Sequence, residues 1–464
     1  MLHPDRLLPT DDHQRSIARA LYESVKDLPI ISPHGHTDPE WFATDAPFSD
    51  PVSLFITPDH YVFRMLYSQG IALETLGIGK AALSDSEARN IWRLFADNYH
   101  LFRGTPSRIW LDHVFSEVFG IEQRLSSATA DAYFDTISAA LKTEAYKPRA
   151  LFDRFNIEVL ATTESPLDTL PFHDKIAASE WDGRVITTFR PDPVMDPEFE
   201  GFVHNVEKLG ELTKTDICSY AGYLTALRDR RDYFRARGAT ATDHGHPTPR
   251  TADLSGEESE ALYQRVLRGS ASPEDADLFR AQMLTEMAAM SVEDGMVMQI
   301  HPGSFRNHNR ELFDRYGRDM GADIPMRTSY VDGLKPMLDK FGNDPKLSII
   351  LFTLDETTYS RELAPLAGHY PSLKLGPAWW FHDSPEGMRR FRQQVTETAG
   401  FYNTAGFNDD TRAFLSIPAR HDLARRIDCG HLAKLVAEHQ IQEDEAYELS
   451  HALAYSLAKD AYRL

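Results

Sequence analysis

The chain has 464 residues, of which 42% are hydrophobic and 26% charged, a formal net charge of −21 and two cysteines. That charge repels nucleic acid and anionic membrane, so neither is expected as a partner, and a small acidic ligand would need a local cluster of arginines. The longest apolar stretch, 347–354, is far too short to span a bilayer. The N-terminus lacks the apolar core of a signal peptide. Cys218 and Cys429 form neither a CxxC pair nor a disulfide framework, so a cytoplasmic address is expected.

This length allows two or three average domains or one large α/β barrel with insertions. Asp11, with Gln14 three residues on and Ile17, Ala18, Leu21 and Val25 at helical spacing, predicts a first helix. It leads into a strand at 29–34 that ends in His34-Gly35-His36. Residues two apart on a strand share a face. Both imidazoles would therefore aim at one spot and could fill two positions of a divalent metal, with Gly35 allowing another group to approach closely. Alone, the tripeptide also reads as two solvated histidines in a loop. From 47 to about 149 the pattern is helical throughout and contains Asp59-His60-Tyr61 and Gly104-Thr105-Pro106. The expected organisation is an N-terminal helix and first strand (1–46), an inserted helical subdomain (47–150), and the remainder of a barrel with helical insertions (151–464).

Further strands are predicted at 157–162, 184–189, 239–242, 296–300, 347–352, 372–375 and 404–408. With the first they make eight short apolar strands separated by helical segments. That alternation reads as a parallel sheet covered on both faces, and eight units is the count that closes a (β/α)8 barrel. The C-terminal stretch, 417–464, reads as helix and is expected on the outside of the barrel.

The unusual polar residues fall at strand ends: His34, His36, Arg190, Asp243 (in Asp243-His244-Gly245-His246), His301, Asp410 and Arg412. In such barrels chemistry sits at the C-terminal ends of strands. The first and eighth strands are neighbours across the seam of a closed barrel, so His34, His36 and Asp410 could hold one metal. Three N/O ligands leave positions open, as a catalytic metal requires. With no Lys at the end of the fourth strand and no His at the end of the sixth, a single metal is favoured over a bridged pair. His301 fits a fourth ligand, a group standing behind the ligands, or a buried imidazole that is merely hydrogen-bonded. Arg190, Arg306 and Arg412 could clamp an anion through bidentate guanidinium pairing. The alternative is salt-bridging among the 70 acidic residues. Trp379-Trp380 would line the pocket or simply pack.

Taken in order, His34-x-His36, Asp59-His60-Tyr61, Gly104-Thr105-Pro106, Phe189-Arg190-Pro191-Asp192, Gln299-Ile300-His301, Arg306-Asn307, Ala378-Trp379-Trp380-Phe381 and Asp410-Thr411-Arg412-Ala413-Phe414-Leu415 resemble the uronate isomerases (glucuronate isomerase) of the amidohydrolase superfamily. The resemblance covers nearly the whole chain. It implies an α/β fold, a distorted (β/α)8 barrel with a helical subdomain, and one divalent metal of the zinc type. The implied reaction interconverts D-glucuronate with D-fructuronate and D-galacturonate with D-tagaturonate. The implied metal ligands are His34, His36 and Asp410. Asp410, Tyr61 and His60 would be catalytic, and Arg190, Arg306, Arg412, Trp379 and His301 would contact substrate. The implied partner is a small uronate, and homo-oligomerisation is left open. Two rivals stand beside this reading: a mononuclear metal-dependent deaminase or lactonase on the same barrel, and an inert sugar-acid-binding barrel.

Overall fold

The structure, a computed structural model, describes residues 2–464. The first helix, Asp12–Val25, starts where Asp11 accepts a hydrogen bond from the Gln14 amide, and it buries Ala18, Leu21 and Val25. The strands are β1 (Ile30–Ser32), β2 (Ile157–Glu164), β3 (Val185–Phe189), β4 (Ala241–His244), β5 (Val297–Ile300), β6 (Ser304–Phe305), β7 (Ile324–Pro325), β8 (Ile349–Leu351) and β9 (Leu373–Leu375). Seven of them form one parallel sheet in the order β1-β2-β3-β4-β5-β8-β9, while β6 and β7 pair antiparallel elsewhere. The sheet is curled into a barrel lacking one full ladder, so the expected fold class holds in distorted form.

The eighth expected strand is the correction. Residues 404–408 contribute only an isolated bridge, Leu375 to Thr404. The cause is local. Gly406 sits at φ +69°, and a Cβ there would lie 2.7 Å from the backbone nitrogen of Ala458. The chain leaves extended geometry to let the C-terminal segment pass, and only glycine does this without strain. The seam closes beyond that point by loop contacts instead. There His36 N donates to Thr411 O at 3.0 Å; on the other side of β1, Thr163 Oγ1 of β2 donates to Gly35 O at 2.9 Å.

The strands of the parallel sheet bury both faces. Ile30, Ile157, Leu160 and Val185 join the apolar cluster of the helices between β1 and β2. On the opposite face Ile31, Val159, Ala161 and Ile186 pack with Ala458, while Ala241, Val297 and Ile350 pack with Ala461 and Tyr462. The end of the chain therefore fills the inside of the barrel, contrary to the expected outside packing. Its earlier helices, Ile417–Ala437 and Glu443–His451, lie outside, against Asp12–Val25. A sheet this short has few inward side chains, and the C-terminal residues supply the missing core volume.

From Pro39–Thr44 to Pro148–Arg154 only helices connect β1 to β2 among the described residues. Phe55, Trp92, Phe95 and Phe115 of that segment belong to the same cluster as Ile30 and Ile157, so it is welded to the barrel wall. No helix among the described residues is long and apolar enough to cross a membrane.

Tyr462 is fully buried, donates to Gln299 Oε1 at 2.9 Å and accepts from Asn408 Nδ2 at 3.1 Å. Tyr462→Ala is expected to lower unfolding free energy in a urea titration by about 3–5 kcal/mol, as large aromatic truncations in cores do. Tyr462→Phe, which removes only the hydroxyl, should cost about 1 kcal/mol.

Candidate active site

All ten residues singled out above line one cavity of about 1150 Å³ at the strand ends: His34, His36, His60, Tyr61, Arg190, His301, Arg306, Trp379, Asp410 and Arg412. They come from six separate stretches of chain. His34 and His36 follow β1, Arg190 follows β3, His301 follows β5, and Asp410 and Arg412 lie on the loop that closes the seam. The helix His60–Tyr67 presents His60 and Tyr61 from its first turn, where Asp59 caps it by accepting from Tyr61 N at 2.8 Å.

Asp410 Oδ1 stands 3.2 Å from His36 Nε2 and 3.6 Å from His34 Nε2. These three residues form one of two groups among the described residues whose ligand atoms all lie within 4.8 Å of one another. Asp410 Oδ1 is buried without a hydrogen-bond partner, while Oδ2 accepts from the Trp379 indole. Burial alone would raise the Asp410 carboxyl. The adjacent imidazoles of His34 and His36 and the indole outweigh it and hold the group well below the usual carboxylate range. Burial lowers His36 in turn, leaving a neutral ring. His34 is oriented from behind. The Gln299 amide nitrogen lies 3.4 Å from its Nδ1, and Gln299 is fixed by the Tyr462 hydroxyl, so Nε2 is the atom that faces Asp410. The set fits a divalent metal: two imidazoles, one ionised carboxylate, and an orphaned oxygen aimed between them.

His301 stands apart from that group. Its Nε2 lies 2.6 Å from Asp243 Oδ1. Asp243 Oδ2 lies 3.3 Å from Arg190 Nη1 and 4.0 Å from His34 Nε2. Asp243 is 0% exposed. Burial pushes its carboxyl upward, yet His301, His34 and Arg190 together hold it well below the usual range. Arg190 Nε also bonds Asp192 Oδ2 at 3.0 Å. Gly245 is required beside it, because a Cβ there would lie 2.6 Å from Arg190 Nη2 and 2.9 Å from His301 Cε1.

Across the cavity, His60 stacks on Tyr61 at 4.7 Å, and its buried Nε2 has no partner. Burial, then the Arg412 charge, push His60 down to about 3. Burial likewise raises the Tyr61 phenol well above its ordinary value, so both enter any reaction uncharged. Arg306 Nη1 pairs with Asp323 at 2.8 Å, Arg412 Nη2 with Asp319 at 2.9 Å, and the Arg306 guanidinium lies over the Trp380 ring at 5.1 Å.

The glucuronate isomerase family profile matches residues 11–462, nearly the entire chain. A uronate isomerase of Rhizorhabdus wittichii is 67% identical over 463 residues, covering 100% of this chain and 98% of that protein. The chain belongs to the glucuronate isomerase family. Solved structures agree: that of glucuronate isomerase from Caulobacter crescentus matches with a TM-score of 0.98 at 63% identity, covering 100% of this chain and 97% of that one. A uronate isomerase structure from Thermotoga maritima matches with a TM-score of 0.92 at 29% identity, covering 100% and 99%. The activity is that of an aldose–ketose isomerase, which decides against both the hydrolase and the inert barrel.

The tertiary structure adds residues to this family site that the sequence did not single out. Asp243 stood out only as a polar strand end, and nothing in its spacing marked it as the partner of His301 and Arg190. Gln299 appeared only beside His301 in its motif, and Tyr462, Asp319 and Asp323 carried no signal in the linear order. Glu164 ends β2 on the cavity wall, and its carboxylate accepts from the Thr187 hydroxyl. Burial raises Glu164 from 4.5 to about 7. Between those pH values the folded chain keeps this proton and the unfolded chain has lost it. Stability must therefore fall as pH rises through that window. Asp383, also lifted to about 7 by burial, adds a slope of the same sign. Glu164→Gln should flatten the decline seen in denaturant titrations from pH 5 to pH 8. An unchanged slope would remove Glu164 from this account.

Proposed function

We propose that the isomerisation runs in this cavity on hexuronates, interconverting D-glucuronate with D-fructuronate and D-galacturonate with D-tagaturonate. The observation that carries the reading is the placement of the His34/His36/Asp410 group in one cavity with the three arginines Arg190, Arg306 and Arg412. The first can order the carbon end of a sugar that reacts, and the second the carboxylate at its other end. His34, His36 and Asp410 would hold one divalent metal of the zinc type, which when bound polarises substrate oxygens next to the reacting carbons.

The remaining chemistry belongs to side chains. An aldose becomes a ketose when a base removes the C2 proton and returns it to C1 through an enediol. Asp410 is ionised at any physiological pH, so it is ready to accept that proton. Its low proton affinity, set by His34, His36 and Trp379, favours giving the proton back to the neighbouring carbon. Tyr61 is a neutral phenol at the same wall and can donate to, or accept from, the oxygen whose proton must move. His60, uncharged and with a free buried nitrogen, can accept a hydrogen bond from a sugar hydroxyl. His301 lines the cavity in front of Asp243 and, with Arg190, keeps that carboxylate in place.

A net charge of −21 calls for cations wherever a uronate carboxylate binds. Arg412 is 39% exposed and spends one contact on Asp319. A guanidinium has five N–H donors, so several remain for substrate. Cys218 and Cys429 are both free, which suits a reducing cytoplasm.

The test is turnover of both aldouronates by the purified chain, coupled to an NADH-dependent ketouronate reductase, with and without chelator and alongside metal analysis. Asp410→Asn should lower kcat by about 10²–10⁴, the usual range for a positioned acid–base group. Arg412→Met should lower kcat/KM roughly 10- to 100-fold, matching loss of one charge-assisted hydrogen bond of about 1.5–3 kcal/mol. Activity at the native level in Asp410→Asn would take the proton shuttle away from that residue.

A further inference from the structure

The tripeptide His-Gly-His occurs twice at strand ends: His34-Gly35-His36 after β1 and His244-Gly245-His246 at β4. The isomerisation uses the first and leaves the second without a task. Like the first, the second meets an aspartate from a different strand's end. Asp192, His244 and His246 are the other group among the described residues with all ligand atoms within 4.8 Å. We propose that these three residues bind a second divalent cation of the zinc class, separate from the one at His34, His36 and Asp410 and sharing no ligand with it.

The side chains are in the right state for this. His246 is 2% exposed, and neither ring nitrogen has a hydrogen-bond partner. His244 is 0% exposed and spends Nε2 on Thr242 Oγ1 at 3.0 Å, while Nδ1 has no partner. Buried imidazole nitrogens are normally satisfied, so three orphaned ring nitrogens at one place call for a ligand. Burial pushes both rings down, His244 to about 3, so each offers a lone pair. Asp192 stays ionised despite burial because Arg190 lies beside it.

Its two oxygens divide between neighbours. Oδ2 takes Arg190 Nε at 3.0 Å, and Oδ1 lies 3.9 Å from His246 Nε2. The Gly245 amide reaches both oxygens, at 3.2 and 3.3 Å. Tetrahedral zinc with bonds of about 2.0–2.1 Å sets its donors about 3.3 Å apart. His246 Nε2 and Asp192 Oδ1 need close by about 0.6 Å, and all ligand atoms of the group already lie within 4.8 Å of one another. Gly245 permits the cluster, since a Cβ would lie 3.0 Å from Asp192 Oδ2. Arg190 is the one cation within bonding reach, and Asp192 and Asp243 together outnumber it. Two imidazoles and one carboxylate suit zinc, cobalt or nickel rather than calcium or magnesium.

The experiment is metal stoichiometry on the full-length chain, loaded with zinc, freed of loose metal by gel filtration and measured by plasma mass spectrometry. Cobalt loading with visible absorption serves as a second readout. The native chain should hold two equivalents, and His246→Gln and Asp410→Asn one each. The cobalt bands lost in the two variants should differ. Saturation of the native chain at one equivalent overturns the proposal, as does a second equivalent that survives His246→Gln. If His246→Gln does not fold, Asp410→Asn decides: one equivalent supports the second site and none removes it. A single equivalent lost in Asp410→Asn and kept in His246→Gln would sink this site while leaving the first intact.

Discussion

Two carboxylates, Asp243 and Asp410, sit desolvated at the mouth of the barrel, and the arrangement around them follows from keeping them ionised there. A buried charge with no partner is among the most costly features a fold can carry. Here His34 faces both carboxylates, His36 and Trp379 complete Asp410, and His301 with Arg190 completes Asp243. These partners come from β1, β3, β5 and the loop after β9. The electrostatic requirement thus ties together strand ends distant in sequence, and the register of the sheet brings them level: Asp243 pairs with Gln299, the residue that also orients His34.

The same mouth is where the backbone departs from easy geometry. Asn307, Asp319, Trp380 and Asp410 are non-glycine residues at positive φ, and all four line the cavity. Asn307 and Asp319 lie in a region that Asn and Asp tolerate, whereas Trp380 and the buried Asp410, at a tighter φ of +35°, hold it because their surroundings over-determine it. For Asp410 those surroundings are the Trp379 indole and the seam bond from His36 N to Thr411 O. The barrel lacks a regular eighth ladder at this place. The seam is free of ladder geometry, so the loop can turn the carboxylate onto the two imidazoles.

The arginines meet a parallel constraint. In a chain with this excess of acid, free guanidinium groups would find carboxylates somewhere, and Asp319 and Asp323 provide them within the site. The pairs hold Arg412 and Arg306 in extended poses over the cavity before substrate arrives, which lowers the ordering cost of binding. On the proposed reading, a uronate carboxylate would share each arginine with an aspartate.

The linear order of residues was enough for the α/β class, seven of the barrel strands, the inserted helices and the grouping of His34, His36 and Asp410. Those features rest on short-range rules: apolar runs of strand length, a capping residue such as Asp11, and histidines two apart on a strand. Folding decided what depends on contacts between distant positions. Gly406 breaks the eighth strand because Ala458 lies against it, and Tyr462 enters the barrel because β1–β5 leave its interior underfilled. Asp243 becomes the partner of His301 only when β4 and β5 stand side by side, and Asp192 meets His244 and His246 only across β3 and β4. Periodicity reports which face of an element is buried, and it carries no information about which charge from another element will be buried beside it.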